Sequence, residues 1–181
     1  MLQNREISKT KNSKVIHYGM DASNLENIAA KGDISKDLNL EGKKVFGTIG
    51  RLTSQKDYPN LLRAFAQLLA LSPNVFLLIC GRGLNAGNHV LMALLSELNL
   101  HDKVLLIDGT SEPVDIYHIV DAFVLSSRAE GFPNVVGEAM SCALPCVVTD
   151  VGDGPYLVGG AAYVVPKEDP EALAKMCHVV Q

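Results

Sequence analysis

The stretch Phe123–Thr149, FVLSSRAEGFPNVVGEAMSCALPCVVT, reads as strand, tight loop, helix and strand, and the rest of the chain is organised around it. The apolar run Ala122 to Leu125 ends in Ser126-Ser127, and Glu130-Gly131-Phe132-Pro133-Asn134 follows. The spacing predicts a helix from about Val135 to Cys142, and Pro145 opens a second apolar run, Cys146-Val147-Val148. Gly131 lets the backbone approach a ligand closely or take a positive φ. Pro133 suits the first turn of a helix, and Asn134 is a capping residue type. Such a loop aims backbone N–H groups and the positive end of a helix dipole out of the carboxyl edge of a sheet, which is a place for an anion. Glu130 on the loop and Glu138 in the second helical turn bracket it. Carboxylates beside an anion site suit hydroxyl recognition, as on a sugar or ribose, through charge-assisted hydrogen bonds worth roughly 1.5–3 kcal/mol each. Spacing alone favours a plainer reading, with Glu130 capping a turn and Glu138 solvating a helix face.

Working outward, strand and helix patterns alternate from Lys44 onward. Val45 to Gly50 is a buried strand ending in glycine, and Leu61, Leu62, Phe65, Leu68 and Leu69 form one helical stripe after it. Val75 to Cys80 is a strand closed by Gly81-Arg82-Gly83, and a helix from Asn88 to Leu98 carries Leu91, Leu94, Leu95 and Leu98. Val104 to Ile107 is a strand, Pro113 to Val120 a short helix, Ala162 to Val165 a last strand and Pro170 to Val179 a last helix. This order predicts an α/β domain with a parallel sheet covered on both faces, a Rossmann-like doubly wound lobe whose ligand lies at the carboxyl ends of the strands. Upstream, residues 1–14 are a polar tail expected to be disordered, and Val15-Ile16-His17-Tyr18-Gly19-Met20-Asp21 reads as a short strand and glycine turn.

Composition narrows the function. The 181 residues are 48% hydrophobic, enough for one buried core. Sixteen Lys and Arg against 20 Asp and Glu give a net charge of −4, which argues against a dedicated nucleic-acid binder. No apolar run has the length of a membrane span, and the first residues do not lead into a secretory apolar region. Cys80, Cys142, Cys146 and Cys177 sit in or beside apolar segments without metal-ligand spacing, as expected of buried reduced thiols in a cytoplasmic protein. There is no Asp-x-Asp metal signature, and the five histidines are scattered.

Gly50-Arg51 ends the first core strand and Lys56 follows five residues later. Two cations at a sheet edge facing a helix amino terminus make a cradle for pyrophosphate. Taken alone, they read as ordinary solvated charges.

Resemblance changes that balance. EGFPNVVGEAMSCALPCVVT resembles the signature of retaining glycosyltransferases with the GT-B fold, the group 1 or family 4-like branch, in its carboxy-terminal donor-binding domain. Glu130 and Glu138 fall on the two glutamates of the family pattern, and Ala143 replaces its usual glycine before Leu144-Pro145, a change expected to bear on packing at the helix end. Gly50-Arg51 and Lys56 match the family's diphosphate site, and Gly81 and Gly83 a second donor-side turn. The phrase Gly19-Met20-Asp21 is similar to the family's crossing between domains. The resemblance implies glycosyl transfer from a nucleotide-diphosphate sugar, with UDP-sugar as the first expectation. Glu130, Arg51 and Lys56 would act in catalysis. Gly131, Phe132, Pro133, Asn134 and Val135 would orient the sugar and phosphate, and Glu138 would hold the ribose. It implies no metal cofactor, because protein cations neutralise the leaving group. It also implies a glycan or lipid-linked acceptor held mainly by an amino-terminal domain absent from these residues, so that residues 15–181 are inactive alone. A cytoplasmic place, with peripheral contact on the inner membrane leaflet, follows from the same likeness. Other GT-B enzymes such as an epimerase or phosphorylase, and a catalytically silent nucleotide-sugar or interaction domain, are the alternatives. A dinucleotide-binding domain would need Gly-x-Gly-x-x-Gly after its first strand, and that is absent.

Overall fold

A computed structural model describes residue 40 and residues 42–109 and 114–180. The polar tail, the Val15–Asp21 phrase and Pro113 lie outside the described residues. Among the described residues six parallel strands, β1 (Lys44–Ile49), β2 (Val75–Cys80), β3 (Val104–Ile107), β4 (Ala122–Leu125), β5 (Cys146–Thr149) and β6 (Tyr163–Val165), form one sheet in the order β3-β2-β1-β4-β5-β6. Every β-strand pairing is parallel, with Phe46 opposite Leu77 on one side of β1 and opposite Ala122 on the other.

The continuous apolar runs of β2, β4 and β5 have this character because helices cover both faces. Helices α1 (Tyr58–Leu71), α2 (His89–Glu97) and α6 (Pro170–Val179) pack on one face, around Phe46, Leu62, Phe65, Leu77, Leu95 and Leu173. Helices α3 (Val114–Ile119), α4 (Asn134–Ser141) and α5 (Gly154–Val158) pack on the other, around Tyr117, Phe123, Val136, Ala139 and Val148. The crossover through α3 carries the chain from β3, at one edge, to β4 beside β1, reversing the direction in which strands are added. That reversal opens the crevice between the ends of β1 and β4 where ligands of such sheets bind.

Local chemistry sets the helix ends. Asn88 and Asp169 accept from the backbone N–H of Leu91 and Ala172, capping α2 and α6. Asn134 does not cap α4. Pro133 holds the N-cap position without a side-chain hydrogen bond, and Asn134 is already helical. Its N–H donates to the Phe132 carbonyl, 3.0 Å away, in a tight turn ahead of the helix. Helix α5 was not legible in the pattern, because five residues ending at the left-handed Gly159 show too little of a 3.6-residue period.

Helix α4 ends with Leu144 N–H donating to Ala139 O and Ala143 N–H to Met140 O, the paired bonds of a Schellman motif. Ala143 sits there at φ +56° and is exposed. The departure from glycine is therefore a matter of backbone conformation rather than packing. Ala143→Gly is expected to stabilise the chain by about 0.5–1 kcal/mol, read as a raised denaturation midpoint, because glycine enters the left-handed region without the Cβ penalty. An unchanged or lowered midpoint would contradict this.

Candidate functional site

The loops after β1, β2, β3 and β4 are sewn into one rim. Gly50 N–H donates to Cys80 O at 2.9 Å, Gly81 N–H to Ile107 O at 2.9 Å, and Leu52 N–H to Arg82 O at 3.1 Å. A Cβ at Gly81 would overlap the Gly50 carbonyl oxygen, so only glycine brings these two strand ends so close. Asp108, after β3, receives Gly83 N–H at 2.8 Å and the Asn85 amide; these bonds, Asn85 first, hold its carboxyl below the usual range. This acid was not singled out in the sequence, where only the following Gly109 marks the turn.

At the β1–β4 crevice the structure brings two predicted residues, 74 positions apart, into contact. Lys56 Nζ lies 2.7 Å from Glu130 Oε1. Gly50 makes room for the lysine stem, since a Cβ there would stand 2.8 Å from Lys56 Cε. Ser127 Oγ donates to the same Glu130 Oε1 at 2.6 Å. Glu130 Oε2 has no hydrogen bond among the described residues and can accept from a ligand hydroxyl. The Lys56 and Glu130 side chains are only 21% and 14% exposed, so solvent screens the pair weakly.

Further bonds fasten the same two loops. Arg128 N–H donates to Gln55 O at 2.7 Å, Ser126 Oγ to Lys56 O at 2.9 Å, and Arg128 Nε to Asp57 Oδ2 at 2.7 Å. Tyr58 OH donates to Gly50 O at 2.6 Å, and burial pushes that phenol well above its ordinary range. Asp57, Ser127 and Arg128 carried no sequence signal beyond adjacency to Lys56 and Glu130.

Arg51 stands exposed at the end of β1, without a hydrogen bond or ion pair among the described residues. Gly131 and Asn134 are exposed, Phe132 and Val135 half-buried, and Pro133 buried. The loop after β5 supports this turn from behind: Asp153 N–H donates to Gly131 O at 2.8 Å, and Gly152 presses against the Glu130 and Gly131 carbonyls. A cleft of about 520 Å³ opens beside it, lined by Arg128, Ala129, Asp150, Gly152, Asp153 and Lys167. A comparable hollow lies at the amino ends of the central strands, by Lys44, Asn74 and Asp121. No strand-end loop of the crevice reaches it.

Glu138 has no hydrogen bond to the Lys56–Glu130 pair. It is half-buried on α4, and Tyr117 OH, from α3, donates to its Oε2 at 2.6 Å. Burial first, and then this bond, raise the Tyr117 pKa far above the ordinary phenol. Tyr117 thus stays a neutral donor that orients the carboxylate. None of the four cysteines is in a disulfide, and burial pushes the Cys146 and Cys177 thiols up to about 12. Among the described residues no group of three or more His, Cys, Asp or Glu could hold a metal ion, and no helix is long and apolar enough to cross a membrane.

Comparison with known proteins gives this rim a family. The model for glycosyl transferases group 1 matches residues 30–177. The Campylobacter jejuni N-acetylgalactosamine-N,N'-diacetylbacillosaminyl-diphospho-undecaprenol 4-alpha-N-acetylgalactosaminyltransferase is 34% identical over 154 residues, 85% of this chain and 39% of that protein. The Rhizobium meliloti lipopolysaccharide core biosynthesis mannosyltransferase LpsB is 30% identical over 154 residues, 82% of this chain and 43% of that protein. The chain thus spans less than half the length of these relatives. Anabaena HepE, solved with UDP-glucose, superposes with a TM-score of 0.82 at 25% identity over 92% of this chain and 47% of that one. The C-terminal domain of LpcC from Francisella tularensis shares the fold at a TM-score of 0.76 and 19% identity, over 90% of this chain and 87% of that one. With its Rossmann-like GT-B lobe and a family match over most of its length, this chain belongs to the group 1 glycosyltransferases.

Proposed function

We propose that residues 15–181 form the donor-binding domain of a retaining glycosyltransferase that takes its sugar from a nucleoside diphosphate. The observation that carries this reading is the Lys56–Glu130 pair at the β1–β4 crevice, with both hydrogen bonds to Glu130 on Oε1 and none on Oε2 among the described residues. UDP is the nucleotide favoured, supported by the HepE complex with UDP-glucose. The bond from the anomeric carbon to the diphosphate oxygen breaks, a bond to an acceptor hydroxyl oxygen forms on the same face of the sugar, and the nucleoside diphosphate leaves with the electron pair and takes up the proton of that hydroxyl. Arg51 and Lys56 stabilise the charge growing on that diphosphate more than they stabilise the bound donor, which is what lowers a barrier. Glu130 contacts the donor sugar and Glu138, aimed by Tyr117, the ribose. The cations of the protein take the place of a divalent ion, so binding is expected to survive EDTA. The acceptor is a glycan or lipid-linked glycan, engaged by parts of the enzyme outside the described residues. The diphospho-undecaprenol in the name of the Campylobacter relative supports a place on the cytoplasmic membrane leaflet.

Calorimetric titration with UDP, GDP and their sugar conjugates, with and without EDTA, tests the reading. Arg51→Ala and Glu138→Ala are each expected to weaken UDP binding by about tenfold, the worth of one charge-assisted hydrogen bond. Undiminished binding in both variants would remove the assignment, and loss of binding in EDTA would remove the claim that no metal is needed.

A further inference from the structure

Arg128 bonds the loop after β1 twice. Its backbone N–H holds Gln55 O and its Nε holds Asp57 Oδ2, so the chain on either side of Lys56 is gripped by one residue. Asp57 is an unusual anchor. It is 1% exposed, lies at φ +48°, and caps α1 through Oδ1 and the Asn60 N–H. A non-glycine residue in the left-handed region, with its carboxylate buried, persists only when its surroundings compensate it. The compensation is Arg128. Glu168, half-exposed, adds a second carboxylate 3.3 Å from Arg128 Nε, although exposed pairs of this kind contribute little.

The consequence is geometric. Lys56 precedes Asp57 by one residue, and Glu130 follows Arg128 by two. With Asp57 and Arg128 locked, Lys56 Nζ and Glu130 Oε1 meet from opposite sides of the crevice without a rotamer search at the moment of binding. Resting on the donor reading above, we infer that Arg128, through Asp57, is a positioning residue for the nucleotide diphosphate: it acts by fixing Lys56 where the diphosphate binds. Such preorganisation appears as affinity, because the ordering cost is met before the ligand arrives.

The test uses the full chain, UDP as the probe, calorimetry for affinity and thermal melting for folding. Asp57→Gly/Arg128→Ala removes the buried acid together with its partner and lets glycine adopt the left-handed turn, so the melting temperature is expected to stay near that of the parent. UDP affinity in this variant is expected to fall by about tenfold, and by less than twofold when Lys56 is already alanine, since residues acting through one another are not additive. Arg128→Lys, which keeps a cation facing Asp57, is expected to retain affinity within about threefold of the parent. Parent-like UDP binding by Asp57→Gly/Arg128→Ala would overturn the inference, as would an equal loss with and without Lys56, which marks a general structural effect. Should Lys56→Ala itself bind UDP undiminished, or the parent chain fail to bind UDP, the donor reading falls and takes this inference with it. If Lys56→Ala weakens UDP binding and Asp57→Gly/Arg128→Ala does not, only the role of Arg128 falls.

Discussion

Lys56→Ala is expected to weaken UDP binding by about ten- to a hundredfold while leaving the melting temperature within a few degrees of the parent. Two effects act in the same direction. The diphosphate loses a charge-assisted donor worth roughly 1.5–3 kcal/mol. In addition, Glu130 loses its cation and keeps its charge in a weakly screened site, where it now repels the incoming phosphates. Ser127 remains on Oε1, so the carboxylate does not swing away. The second effect is separable. In a Lys56→Ala/Glu130→Gln variant the repulsion is gone, and part of the UDP affinity is expected to return even as sugar recognition is lost. Calorimetry on the parent and these variants decides it: a Lys56→Ala chain that binds UDP as well as the parent would show that this cation does not face the diphosphate.

Gly152→Ala is expected to cost about 3 kcal/mol or more of stability and to abolish donor binding, a large effect for a single methyl group at a loop position. The residue lies at φ +54°, where alanine alone costs about 1–2 kcal/mol. The added Cβ would also overlap the Glu130 carbonyl oxygen and stand 2.6 Å from that of Gly131, both of them backbone atoms. Neither can yield without moving the turn, and Asp153 N–H is bonded to that same Gly131 oxygen. The strain therefore falls on the loop that presents Glu130. Denaturant unfolding measures the first part and UDP titration the second. Parent-like stability would mean that the loop after β5 does not press on the Glu130 turn.

Much of this molecule is legible along the chain because its information is local. Apolar runs such as Val75–Cys80 and the stripe Leu61, Leu62, Phe65, Leu68 mark their own strand and helix periods, and both faces of the sheet follow from runs apolar at every position. The candidate residues Arg51, Lys56, Glu130 and Glu138 became visible through their order in a family-like signature rather than through any physical signal of their own. Short range hid the five-residue α5. The start of α4 falls one residue ahead of the expected Val135 because Pro133 rather than Asn134 takes the N-cap position, which composition does not display.

The sequence by itself determined that β-α units build a parallel sheet with its glycine loops on one edge, since period, turn chemistry and burial are properties of neighbours. Only the tertiary structure decided which of those loops meet. Lys56 and Glu130 share an ion pair, Arg128 reaches Asp57, and Tyr117 reaches Glu138 because the α3 crossover inserts β4 beside β1. Pairings across 71, 74 and 21 residues leave no trace in local spacing, as their partners are set by strand order and by the close backbone approach at Gly50, Gly81 and Gly152.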